Sequence, residues 1–256
     1  MDIQHISVSR KQTWDTCQQQ YKYKYHLKIV SEKETPEYFD YGKIVHKAAE
    51  LYVQDKGKTP IEEITNSILS GQIIIEEGYG KKTNVNLSQD YLLKLPSHLK
   101  NIKYISDKIG YDGHLEWPFK FDIDPPTNKL LVGFIDRLVI RGDKYFILDY
   151  KTTKKGKWRK TPSNIKNDLQ LRCYGRIVQK TFGAKAENIS AALYYLDGAN
   201  LISTKFTDKL LLTAEQELLD AYKSIVSTKP EMATAKTGFH CRNCDYNNIC
   251  PYYANM

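Results

Sequence analysis

Asp136, Asp149 and Lys151 are the residues of this chain whose types and spacing most directly suggest chemistry. Asp149-Tyr150-Lys151 closes a run, Tyr145 to Lys151, that reads as a strand. Side chains along a strand alternate faces, so Tyr145, Ile147, Asp149 and Lys151 share one. A carboxylate and an ammonium at a strand end are costly to bury without a task. Asp136 belongs to the preceding apolar run, Leu130 to Ile140, and Arg141-Gly142-Asp143-Lys144 turns one run into the other, forming a hairpin. Two carboxylates brought together suit a hard, oxygen-preferring cation such as Mg²⁺ or Mn²⁺. Such a cation polarises a phosphate and helps generate hydroxide from water, while a lysine beside it orients the water or stabilises developing charge. Asp-x-Lys alone is common on surface hairpins, so the surroundings must carry this reading.

A second constellation is made of sulfur. Cys241-x-x-Cys244, followed by Cys250, has metal-ligand spacing rather than the spacing of core packing. Three thiolates are one short of a closed four-ligand site, and Cys17 and Cys173 are the candidates for the fourth. Spacing alone admits either zinc or an iron–sulfur cluster. A third feature is the acid-free run over 151–160, Lys-Thr-Thr-Lys-Lys-Gly-Lys-Trp-Arg-Lys, which starts at Lys151 itself. Charge runs are usually solvated loops. This one continues the candidate active strand, so Lys154, Lys155, Lys157, Arg159 and Lys160 are expected to contact phosphate, with Trp158 placed to stack on a base.

The elements that must position these groups follow from periodicity. Ser9-Arg10-Lys11-Gln12 has the form of a capping box and predicts a helix to about Ile29, with Trp14, Cys17, Tyr21 and Tyr25 on one stripe. A helix is expected from Gly42 to Gln54, with His46 away from its main apolar stripe. Residues 57–112 read as helical pieces; Ser88 caps one of them and Pro96 is expected to kink or split it. The stretch would cover the active site as a helical cap, with Lys94, Lys100, Lys103 and Lys108 helping to thread a strand. Residues 113–123 alternate as a strand, with Glu116 on its polar side. After the hairpin come a helix from about Asn167 to Phe182 stopped by Gly183, strands at Ile189–Leu196 and Leu201–Phe206, and a helix from Lys209 to Ser227. Helix, three strands, helix, strand implies an α/β sheet covered by helices.

With 41% hydrophobic residues the chain can build a core without disulfides, and its net charge of +8 suits a protein that meets phosphates. The start, Met-Asp-Ile-Gln-His-Ile-Ser, contains no apolar run behind a basic one, and nothing approaches the length of a membrane span. The expectation is a cytoplasmic protein in a reducing compartment, without membrane contact, whose cysteines serve something other than disulfides. A metabolic enzyme is disfavoured because no glycine-rich cofactor loop is evident.

Val132-Gly133-Phe134-Ile135-Asp136-Arg137 and Ile147-Leu148-Asp149-Tyr150-Lys151-Thr152 resemble the motifs of the PD-(D/E)XK nucleases. The closest likeness is to the RecB-like branch, with its GxhD…DhK-T pattern (h is hydrophobic). Gly42-Lys43-Ile44-Val45-His46 resembles that branch's upstream G-x-x-x-H motif, and Gln170-Leu171-Arg172-Cys173-Tyr174 its Q-x-x-x-Y motif, where i,i+4 spacing shares a helix face. The resemblance spans about residues 40 to 175. It implies a restriction-endonuclease-like αβββαβ core with a central mixed sheet flanked by helices. The chain would be a single nuclease domain over 1–256. Residues 1–30 would form the N-terminal helix, 57–112 a helical insertion, 113–206 the sheet core, and 207–256 the last helix and cysteine-rich segment.

The resemblance also implies roles. His46, Asp136 and Asp149 would bind the metal with the backbone carbonyl of Tyr150, Lys151 would be the catalytic lysine, and Gln170 and Tyr174 would position DNA or the lysine. Glu116 resembles the acidic residue often found on the strand before the GxhD motif. The cysteines resemble those of AddB-type nuclease domains and CRISPR-associated RecB-like exonucleases, in which one cysteine before the core and three near the C-terminus hold a 4Fe–4S cluster. Ser9 to Tyr25, with Cys17-Gln-Gln-Gln-Tyr, resembles their entry helix, so Cys17 joins Cys241, Cys244 and Cys250, and Cys173 remains a buried free thiol. Such a cluster would close a very long loop as a structural clasp. The implied activity is a DNA exonuclease acting on single-stranded ends, with DNA-processing partner proteins unspecified. A PD-(D/E)XK endonuclease or flap nuclease is the second reading, and a silent DNA-binding subunit with a zinc clasp the third. The complete His-Asp-Asp-Lys set argues against silence.

Overall fold

The structure is a computed structural model that describes residues 3–33, 35–76, 82–124, 129–156 and 159–253, the side chain of Asp124 excepted. Its internal contacts divide the chain into two units. One comprises Thr35–Pro118 and Phe134–Leu210; the other comprises Met1–Glu34, Phe119–Gly133 and Leu211–Met256. Among the described residues no helix is long and apolar enough to cross a membrane.

The larger unit contains helices α3 (Glu37–Gln54), α4 (Ile61–Leu69), α5 (Gln89–Ile109) and α6 (Leu169–Phe182). Its strands β4 (Lys144–Lys151), β5 (Ile189–Tyr195) and β6 (Asn200–Lys205) join the second part of β3 (Lys129–Arg141), in the order β3-β4-β5-β6. The first residues of β2 (His114–Asp124), which pairs with β3, also fall here. The β3/β4 and β5/β6 pairs are antiparallel; β4 and β5 are parallel, with Asp149 opposite Leu193. A parallel pair needs a crossover connection, and α6 supplies it. The sheet is therefore mixed and flanked by helices, as the family resemblance implied.

Strand alternation then sorts the two faces. Leu148 and Tyr150 of β4, with Ala192 and Tyr194 of β5, join the apolar cluster built by α3, α4 and α5. Ile147, Asp149 and Lys151 point the other way, to the side that α6 covers. The expected inserted stretch over 57–112 thus supplies α4 and α5, whose apolar residues lie in this core. Pro96 lies inside α5 and does not split it. A helix-interior proline costs about 3 kcal/mol. Burial of Leu95, Leu99, Ile102 and Ile105, each 6% exposed or less, contributes roughly 1.5–3 kcal/mol per side chain. Burial wins, and the helix runs through. Ser88 is the N-cap residue of α5 but makes no side-chain cap bond.

The smaller unit holds β1 (His5–Ile6), α1 (Val8–Thr16), α2 (Gln18–Tyr21), a π-helical turn over Lys22–His26, and α7 (Asp208–Ser227) from Leu211 onward. Within it β1 pairs in parallel with β3, His5 opposite Leu130 and Ile6 opposite Leu131. The predicted single helix from Ser9 is corrected at both its start and its middle. Ser7, not Ser9, is the cap, and its Oγ accepts the Arg10 N–H. At Cys17 the backbone turns extended, with φ −164° and ψ 117°, and ends α1. The periodicity of the aromatic stripe concealed this break, because α2 resumes one residue later with Tyr21 still buried.

Gly133 also belongs to this unit. A Cβ there would meet the Phe119 ring at 2.5 Å. The glycine of the Val-Gly-Phe-Ile-Asp run is therefore a matter of close packing under an aromatic ring.

Candidate active site

The larger unit gathers the chemistry at one end of β4. The β3/β4 ladder begins at Arg137 opposite Leu148. Just beyond, the Asp136 carboxylate takes over from the backbone: Oδ2 accepts the Tyr150 N–H at 2.8 Å. From α3, His46 presents Nδ1 to the same oxygen at 3.4 Å and to Glu116 Oε1 at 3.9 Å. Its Nε2 lies 3.1 Å from the Tyr150 carbonyl oxygen. Glu116 reaches the group from β2 with φ 41°, a left-handed backbone that non-glycine residues adopt at a cost. Sequence alternation could not foresee that departure. Ligand atoms of His46, Glu116 and Asp136 all lie within 4.8 Å of one another.

Asp149 is 1% exposed, and its Oδ2 pairs with Lys151 Nζ at 2.6 Å. Lys151 in turn donates to Gln170 Oε1 at 3.3 Å, and Gln170 Nε2 donates to the Tyr174 hydroxyl at 2.6 Å. The i,i+4 pair on α6 therefore orients the lysine. Asp168 fixes the start of that helix: its Oδ1 accepts the Leu171 N–H, while its Oδ2 pairs with Lys160 at 3.3 Å.

The electrostatics have one theme, acids crowded together with too little positive charge. Burial pushes the Asp149 carboxyl up to about 6, with the Asp136 carboxylate adding and Lys151 opposing. Asp136 is raised by burial and by Glu116, against the pull of His46 and Lys151. Burial opposes charge on His46, yet Asp136, Glu116 and Asp149 outweigh it and hold the imidazole up at about 9. Burial likewise opposes charge on Lys151, and Asp149 and Asp136 reverse the outcome, so its pKa is raised. Carboxylate oxygens of Glu116 and Asp136, joined by the His46 imidazole, form a donor set that could hold a divalent cation, which would relieve the repulsion among the acids.

Beside this group lies a cavity of about 480 Å³ lined by Gly42, Lys43, His46, Lys47, Glu50 and Glu116, among others. Sequence reading singled out Gly42 and His46 here but not Lys43, Lys47 or Glu50. Their i,i+4 and i,i+3 spacing from the same helix face was the available signal. Phe134, two positions before Asp136 on the same strand and 59% exposed, was also passed over as a chemical group.

Residues 5–251 match the family model described as the PD-(D/E)XK nuclease superfamily. The chain belongs to that superfamily. Among solved structures, it is similar to a provisionally named exonuclease from Eubacterium rectale, at 15% identity and a TM-score of 0.52, covering 96% of this chain and 89% of that one. It is also similar to SSO0001, at 14% identity and a TM-score of 0.45, covering 98% and 88%. Comparison with curated proteins finds no match. PD-(D/E)XK nucleases use divalent metals as cofactors, and the His46, Glu116 and Asp136 group is one that could hold such an ion.

The basic loop divides by its contacts. Lys157 and Trp158 lie outside the described residues. The Arg159 guanidinium is committed within the protein, donating to Thr153 O, Asp197 O and Asp197 Oδ2 and lying over the Tyr195 ring. Lys160 has Asp168 as its ion-pair partner. Lys154 and Lys155 have exposed side chains.

In the smaller unit Cys17, Cys241, Cys244 and Cys250 line one small cavity with Tyr23 and Tyr246. All four are free thiols, and Cys17 is buried. Burial pushes the Cys244 thiol up, and nearby Asp245, Cys17 and Cys250 add to the effect. Direct bonds tie the same two segments of chain. Gln18 Oε1 accepts from Thr234, Ser31 donates to Asp245 O, Lys33 to Cys244 O, and Tyr246 to Ile29 O. Cys173 is buried on α6 in the larger unit.

Proposed function

We propose that this chain hydrolyses phosphodiester bonds in DNA with Mg²⁺ or Mn²⁺, as a RecB-like exonuclease acting on single-stranded ends. A 4Fe–4S cluster on Cys17, Cys241, Cys244 and Cys250 would serve as a structural clasp. The observation that carries the reading is the meeting of His46, Glu116 and Asp136 beside the Asp149–Lys151 pair. His46, Asp136 and Asp149 would hold the cation, with the Tyr150 carbonyl at hand and Glu116 as a further acid. Bound there, it would supply Lewis acidity toward the scissile phosphate. Lys151, held by Asp149 and Gln170, keeps its ammonium at the strand end, where it can steady a water molecule or charge developing on phosphate. Tyr174 keeps its phenol proton, since burial and the two aspartates raise its pKa well above the usual value.

Four thiols around one cavity form a soft donor set that suits zinc or iron–sulfur, and the RecB-like pattern of one early and three late cysteines favours the cluster. Anaerobically purified protein is expected to be brown, with iron and sulfide; colourless protein carrying one zinc would replace that part of the reading. The activity is tested with end-labelled single- and double-stranded DNA and circular single strands, with and without Mn²⁺. Metal-dependent loss of linear single strands with circles spared is the expected result. Cut circles would make the enzyme an endonuclease, and no cutting under any condition would overturn the reading.

A further inference from the structure

A second cavity, of about 840 Å³, opens in the larger unit beside the first residues after Lys151. Its walls come from α3 (Tyr38, Tyr41), α5 (Tyr91, Lys94, His98) and the loop Thr152–Lys155. It contains none of the metal-site residues. It approaches the first cavity where a Cβ on Gly42 would stand 3.9 Å from Thr152 Oγ1. Gly42 lines the first cavity and Thr152 the second.

We propose that this second cavity is a nucleotide subsite, taking a nucleoside monophosphate unit with its base against the tyrosines and its phosphate between Lys94 and Lys154. The inference rests on the DNA-hydrolase reading and gives it a further point of grip on the strand.

Aromatic faces account for the base. Tyr41 and Tyr91 approach to 4.7 Å between ring centroids. Tyr38 is 53% exposed, with the Phe39 ring 4.4 Å from its own between centroids, which leaves the side away from Phe39 for a ligand. The back wall is fixed: Tyr41 and His98 are both buried, and the Tyr41 hydroxyl is 2.7 Å from His98 Nδ1. Burial keeps that imidazole toward its neutral form. Stacking on such faces tolerates any base, because every base has a π-face.

Cations at the rim account for the phosphate. Lys94 lies over the Tyr91 ring, 4.8 Å from its centroid. Burial lowers the Lys94 pKa and the neighbouring Lys154 lowers it further, against the pull of Asp90 and Asp197. A phosphate placed between the two ammonium groups would relieve the repulsion that those carboxylates leave. The carboxylate that lines the cavity is already engaged: Asp197 Oδ2 accepts the Lys155 N–H at 2.9 Å and Arg159 Nη2 at 3.0 Å. Those bonds pin the loop and leave the Lys154 side chain exposed at the mouth. An aromatic wall with a two-lysine rim matches one base and one phosphate.

The unit could belong to the strand or be a free nucleotide, and one set of measurements separates these sources. Binding of a labelled short oligothymidylate is followed by anisotropy in EDTA, so nothing is cut, for the wild type and for Tyr38→Ala/Tyr91→Ala, Tyr91→Phe and Lys94→Ala/Lys154→Ala. Melting curves confirm that each variant is folded. The Tyr38→Ala/Tyr91→Ala variant is expected to lose about tenfold or more in affinity, while Tyr91→Phe keeps it. On an abasic strand of equal length, wild type and the tyrosine variant should bind alike, whereas the lysine variant should bind both strands more weakly. Displacement of the oligonucleotide by free dTMP from wild type, and not from the tyrosine variant, would make the free nucleotide a ligand in its own right. Wild type that cuts DNA while every variant binds as it does would overturn the subsite alone. Wild type that neither binds nor cuts DNA would overturn the nuclease reading. Calorimetry with dTMP then decides the cavity: binding lost in the tyrosine variant retains it, and no binding overturns it.

Discussion

Two groups of ligand-type side chains stand in this chain, and they are assembled in opposite ways. At the oxygen-rich site, Asp136, Asp149 and Lys151 arrive on adjoining strands of one hairpin. Backbone register alone nearly brings them together, and the Tyr150 N–H donated to Asp136 completes the meeting. At the thiol site, Cys17 and Cys241 are separated by most of the chain, and polar ties between the two segments, such as Gln18 to Thr234 and Tyr246 to Ile29, bring them to one cavity. The first site is strained electrostatically, its carboxylates raised by burial and by each other. At the second, an ion or cluster bound by all four cysteines would close a long loop. Damage to the first should therefore appear as lost chemistry, and damage to the second as lost stability.

The sharpest way to break that contrast is Lys151→Ala beside Asp149→Ala. Removing one preorganised charge of this kind costs about 10²- to 10³-fold in rate, and loss of Asp149 should cost at least as much. Melting temperature and oligonucleotide binding should stay near wild type. Cleavage close to normal in both variants would remove these residues from the chemistry.

Cys17→Ala is the matching test of the other region. Closing a loop of this length is worth on the order of 5 kcal/mol in chain entropy. The variant should lose its iron and sulfide and melt well below wild type. Residual folded protein at low temperature should still bind Mn²⁺. An unchanged melting curve would mean that the hydrogen bonds between the two segments suffice without the cysteines.

Gln170→Ala should have a milder effect, roughly tenfold in rate, as for other groups that orient a reactive partner from behind. Lys151 keeps its 2.6 Å pairing with Asp149 in that variant. A loss as large as that of Lys151→Ala, measured in single turnovers, would promote Gln170 from orienting group to direct participant.

Neutralising Lys154, Lys155 and Lys157 together should have the smallest effect on chemistry. Affinity should fall for all sequences alike, and the slope of log affinity against log salt should flatten by about two. An unchanged slope across several unrelated oligonucleotides would make the run a solvated loop.

Much of this arrangement was written in local sequence. Period two put Asp149 and Lys151 on one face, a short turn put Asp136 across from them, and i,i+4 spacing put Gln170 and Tyr174 together. Gly183 stops α6 in the left-handed conformation as its position predicts. These features are legible because each depends on residues a turn, a strand or a helix apart. The fold decided the rest. His46 reaches Tyr150 from α3, Glu116 turns toward His46 through a positive φ, and Pro96 stays helical because the core outweighs its cost. The aromatic cavity of Tyr38, Tyr41, Tyr91 and His98 has no motif, since its walls come from two helices and a loop distant along the chain. Such contacts are set by packing free energy summed over many side chains, and no spacing rule encodes that sum.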